Sequence, residues 1–113
     1  MATPQYEATL SAVARLDGAI KMLLSPNPPE PRSAKWTPEL MHGLVEGMQA
    51  CRWFVATGFD PQAQFGSWLR RRLEEGELGP PEGPHGDFYG SWVWHAADAV
   101  DQLRREWQPE WSM

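Results

Sequence analysis

Ten of the eleven prolines constrain this 113-residue chain more than any other residue type, because they fall in two patterns. Singly, Pro4, Pro38 and Pro61 each follow a capping residue, Thr3, Thr37 and Asp60. A proline at the first helical position loses no hydrogen bond, so each pair reads as a helix start. In clusters, Pro26, Pro28, Pro29 and Pro31 fall within 25–36, and Pro80, Pro81 and Pro84 within 76–87. There they remove donors and push their predecessors toward extended backbone, so neither segment is regular helix. The chain is thereby cut into four candidate helices, over about 4–24, 38–57, 61–75 and 88–107.

Each candidate carries an apolar stripe at three- and four-residue spacing. The most regular is Met41, Leu44, Val45, Met48, Cys51 and Val55, which marks 38–57 as the central helix. Glu39 suits its positive end, and Gly58, with Phe59 folding back, suits a left-handed stop. The first helix places Tyr6, Leu10, Val13, Leu16, Ile20 and Leu23 on one face, the third Phe65, Trp68, Leu69 and Leu73. In the fourth, Phe88, Trp92, Ala96, Ala99, Leu103 and Trp107 lie near one face, and Asp101 with Arg105 forms an i, i+4 pair on another. Phe88, Tyr89, Trp92, Val93 and Trp94 also have strand propensity, which leaves a short hairpin open there. No segment alternates with period two. The fold class is an all-α, antiparallel bundle of about four helices in a single domain, 1–113. Residues 25–36 form a Pro-rich connector, whose far end Trp36 anchors at a staple position, and 76–87 a Gly/Pro-rich loop.

Composition narrows the function classes. A net charge of −5 argues against direct nucleic-acid binding, which needs Lys and Arg to neutralise phosphates. The single Cys51 excludes an internal disulfide and a multi-Cys zinc site, and its place on the apolar stripe makes it an inert thiol. With no leader and no apolar run of membrane length, the expected location is the cytoplasm, away from membranes.

No phosphate-binding loop, nucleophile elbow, HExxH or CxxC pattern occurs, and the prolines of 76–87 remove the donors a phosphate cradle needs. The sharpest chemical constellation is His42 with Glu46, four apart, and His95 with Asp98, three apart. If their helices faced each other, the four side chains could converge on a metal ion in the bundle core. The preferred reading has no catalytic residue, metal or cofactor.

Residues 15–28, RLDGAIKMLLSPNP, followed by Val45-Glu46-Gly47, resemble the N-terminal segment of Fic-domain AMP-transferases. That family, and small separate antitoxins like it, carry an inhibitory helix with a Ser/Thr-x-x-x-Glu-Gly pattern. The resemblance implies Glu46 as the inhibitory glutamate. His42 stands where the family has Ser or Thr, Gly43 weakens the helix, and no Fic catalytic motif follows. The functional reading rests on none of it.

It rests instead on aromatic surface. Seven tryptophans exceed what a small bundle readily hides. Arg52 and Trp53 lie off the central stripe, Trp94 points away from its helix's apolar face, and Tyr89 sits beside a loop. With Arg70 and Arg71 they have the composition of a protein-binding hot spot. Arg70, Arg71 and Arg72 fan around about 300° of helix, so they form no flat phosphate-binding stripe. The leading expectation is a small non-catalytic domain that occludes or bridges a partner protein, as an inhibitor, antitoxin, immunity, anti-defence or adaptor protein. The alternatives are a helical subunit of a larger or self-associating assembly, and a metal-dependent enzyme built on His42, Glu46, His95 and Asp98.

Overall fold

A computed structural model describes residues 4–27, 29–57, 65–78, 83 and 86–106, and of residues 4–6 and 106 the backbone alone. Four helices follow in order: α1 (Pro4–Leu24), α2 (Pro38–Ala56), α3 (Phe65–Glu75) and α4 (Phe88–Glu106). The expected stop at Gly58 and Phe59, the start at Asp60 and Pro61, and the ends at Trp107 and Trp111 lie outside the described residues. Among the described residues there is no strand.

Local chemistry sets the helix ends. The Thr37 hydroxyl accepts from Leu40 N at 3.1 Å, and Pro38 opens α2 behind it. Asp87 caps α4, its Oδ1 accepting from Tyr89 N at 2.9 Å and Gly90 N at 3.0 Å. That cap settles the aromatic run of 88–94 as helix, because it satisfies the first-turn donors that a strand would need to pair elsewhere. The exit of α3 departs from glycine logic. Leu78 N donates to Leu73 O at 2.7 Å, and it is Glu77, not Gly76, that takes the left-handed backbone, with φ 57°. Leu78 is drawn into the core behind it, and burial of that side chain offsets the strain at Glu77.

The last carbonyls of α1 are capped from the connector. Arg32 Nη2 donates to Met22 O and Leu23 O, both at 2.9 Å, and to Ser25 O at 3.2 Å. A guanidinium suits the negative end of a helix, and its Cζ stands 5.1 Å from the Tyr89 ring centroid. Trp36 anchors the other end of the connector, buried, with Nε1 donating to Asp87 Oδ1 at 2.9 Å.

Cross-helix pairs fix the direction of each element. Gly18 on α1 meets Trp92 on α4, and Arg32, beyond the end of α1, meets Tyr89 near the start of α4. Gly66 on α3 meets Asp101 on α4, while Leu78, past the end of α3, meets Gly90. On α2, Gly47 meets Trp68 and Leu40 meets Gly76. Each of these pairs is antiparallel, so α1 and α2 are too, and the bundle runs up-down-up-down. The seams α1–α4, α1–α2 and α3–α4 are broadly packed, whereas α2 and α3 meet chiefly through the Gly47 and Gly76 contacts.

The core follows the expected stripes with two rotations. On α2, Leu44, Val45, Met48, Cys51 and Val55 are buried as read from spacing. On α1 the buried set is Ala8, Ala12, Leu16, Ala19, Ile20 and Leu23, while Leu10 is 53% exposed. Small residues let α4 approach α1 closely there, so the alanine stripe faces inward and Leu10 is turned out. On α4, Tyr89, Val93, Ala96, Ala97, Val100 and Leu103 are buried, and Phe88 is exposed. This helix is covered on two sides, by α1 and by α3, so no single stripe describes it. The expected Asp101–Arg105 pair is replaced: Asp101 is buried against α3 and pairs with Arg70.

Candidate functional site

The four side chains of the metal constellation are not brought together. α2 and α4 both pack broadly on α1 but form no broad seam with each other. The His42 side chain is 74% exposed and its Nε2 lies 3.1 Å from Glu46 Oε1, a surface pair one turn apart. His95 is exposed, and Asp98 accepts from Arg70 Nη1 at 3.2 Å. Among the described residues no group of three or more His, Cys, Asp or Glu is placed to hold a metal ion. Glu46, singled out by the Fic resemblance, stands in the solvent-facing pair with His42.

The expected contact residues divide into two sets. Tyr89 is only 1% exposed and belongs to the core. Its hydroxyl donates to the Glu30 carbonyl, and its ring meets Trp36 edge-on at 6.0 Å, so its place beside a loop in sequence is a place inside the end of the bundle. Trp94 is half-buried, with the Arg70 guanidinium 5.8 Å from its ring centroid. Arg70 is occupied by Asp98 and Asp101 and ties α3 to α4. These three residues hold the fold.

Arg52, Trp53 and Arg71 remain at the surface. Arg52 Nε donates to Asp17 Oδ1 at 2.5 Å, which pins the outer face of α2 to α1. The neighbouring Trp53 is 56% exposed and meets Phe54 edge-on at 5.1 Å. Arg71 is exposed on α3.

Beside this surface the loose α2–α3 seam opens into a cavity of about 570 Å³, lined by Gly47, Ala50, Cys51, Phe65, Ser67, Trp68 and Arg71. Its aromatic wall is Phe65 stacked on Trp68, with ring centroids 5.8 Å apart and planes at 25°. Gly47 shapes it, because a Cβ there would lie 2.7 Å from the Trp68 ring. At its back, burial pushes the Cys51 thiol up to about 12, which disfavours the thiolate at physiological pH.

Periodicity placed Phe65, Trp68 and Cys51 with the core and gave no hint of a cavity. The signal available was the run of small residues Gly43, Gly47 and Ala50 on one face of α2, at four- and three-residue spacing. A face without side chains leaves a gap wherever a neighbouring helix does not close onto it.

Comparison of the chain with protein-family models, with curated proteins and with solved structures returned no match.

Proposed function

We propose that the chain is a small non-catalytic protein-binding domain that acts by occluding or bridging a partner protein. Its contact surface is the outer face of α2 around Trp53. The observation that carries this reading is Trp53 itself, an exposed indole on a helix whose inner stripe is complete without it. Exposed Ala50 and Ala56 lie about one turn to either side of it. Arg52, tied to Asp17, holds that part of α2 against α1, so little ordering remains to be done on binding. Large aromatics on rigid elements beside arginine are the residues that dominate measured interfaces.

The test is affinity capture from the cells that make the protein, at near-physiological salt, with wild type, Trp53→Ala and Leu10→Ala compared. Leu10 is a second exposed apolar side chain, on a different helix, and serves as the control. One stoichiometric partner retained by Leu10→Ala and weakened at least about tenfold by Trp53→Ala is expected. Equal capture by both variants, with folding verified by circular dichroism, removes the reading. Light scattering that shows a dimer dissolved by Trp53→Ala replaces it with self-association.

A further inference from the structure

We infer that the cavity between α2 and α3 is a binding site for a small monocarboxylic acid with a compact apolar body, aromatic or branched. The inference goes beyond protein binding and stands whether or not Trp53 recruits a partner.

Size and lining set the body of the ligand. At about 570 Å³ the cavity falls within the range of small-molecule sites. The Trp68 ring closes directly onto Gly47, and the stacked rings of Phe65 and Trp68 form an apolar wall beside Ala50. Arg72 stands with its Cζ 5.5 Å from the Trp68 ring centroid, which braces that wall. A flat ring or a branched alkyl group packed against that wall moves one face out of water.

Charge sets the head group. Arg52 pairs with Asp17, Arg70 with Asp98 and Asp101, and Arg72 lies 3.9 Å from Glu75. Arg71 has no ion-pair partner among the described residues, and it is the one that lines the cavity. Among the described residues no carboxylate lines the cavity with it, and burial disfavours ionisation of the Cys51 thiol. Ser67 lies four residues before Arg71, so hydroxyl and guanidinium share one face of α3. A guanidinium fork beside one hydroxyl matches the two oxygens of a carboxylate. A phosphate, with more charge and more oxygens, would leave most of its acceptors unanswered by this pair. Low-dielectric walls strengthen the ion pair relative to one in open water.

The experiment titrates the ¹⁵N-labelled full chain with 3-phenylpropanoate and, separately, with its uncharged amide. Saturable shifts are expected at Gly47, Ala50, Ser67 and the Trp68 indole, with the acid bound at least about fivefold more tightly than the amide. Arg71→Gln, a surface change, should bring the acid down to the affinity of the amide and leave the amide unmoved. Ala50→Leu, which fills the cavity from an exposed helix position, should abolish both. Should Ala50→Leu disturb the fold, Arg71→Gln still decides. An acid no tighter than its amide, a preference that survives Arg71→Gln, shifts centred elsewhere, or no saturation by about 10 mM each overturns the inference.

Discussion

Gly43 and Gly66, both inside helices, make opposite demands. A Cβ at Gly43 would meet no atom within 4 Å, so Gly43→Ala gains helix propensity at no steric cost. It should stabilise the fold by about 0.5–1 kcal/mol. A Cβ at Gly66 would collide with the Asp101 carboxylate, 2.7 Å from its Cγ, and lie 3.0 Å from the Ala97 carbonyl oxygen. Gly66→Ala must spread α3 from α4 or displace the partner of Arg70, at a cost of about 2–3 kcal/mol. Urea midpoints should move in opposite directions for the two variants, and a shared direction would contradict the close approach of α3 to α4. Nothing in the sequence separates these glycines. Both sit beside apolar residues in helical stretches, and only the neighbouring helix distinguishes them.

Among the elements, α4 depends most on one atom. Asp87 Oδ1 accepts from two first-turn amides and from the Trp36 indole, all within 3.0 Å. Asp87→Ala therefore uncaps α4, at about 1–2 kcal/mol, and strands an indole N–H whose ring is buried, at about 1–3 kcal/mol more. Asp87→Asn keeps an acceptor oxygen and should lose under about 1 kcal/mol, so the ratio of the two in thermal unfolding checks the assignment. The cap was only partly legible, because Asp before an aromatic run is a local signal but the strand propensity of that run left a hairpin open. The indole bond was not legible, because it joins positions 51 residues apart. Arg32 follows the same rule: its chemistry is plain, but its choice of the α1 carbonyls depends on how the connector folds back.

At the scale of the whole molecule, Cys51 links the core to alkaline stability. Folding raises its thiol from 9.0 to about 12 through desolvation. The unfolded chain ionises first, so this contribution is fully present below pH 9.0 and is lost as pH rises toward 12. At about pH 10.5 the loss is about 2 kcal/mol, and Cys51→Ala should not show it. The fall in urea-unfolding free energy between about pH 8 and pH 10.5 should thus be smaller in the variant than in wild type. Equal falls would mean that the thiol ionises inside the fold.

The sequence by itself determined four helices, most of their ends and an all-α bundle. Capping side chains, prolines and apolar spacing act within a few residues of the backbone they control. Among the described residues no helix is long and apolar enough to cross a membrane, which the same apolar spacing also made legible. Tertiary structure alone decided which way each stripe turns, that Tyr89 is inside and Trp53 outside, and that the helices of His42 and His95 share no broad seam. It also decided that Asp101 answers Arg70 rather than Arg105, and that the α2–α3 seam stays open while the other three close. The physical reason is that a stripe at three- and four-residue spacing fixes a face of its own helix but carries no address for the helix that covers it. That address is written in the match of small residues to large ones across each seam, which exists only when both helices are in place.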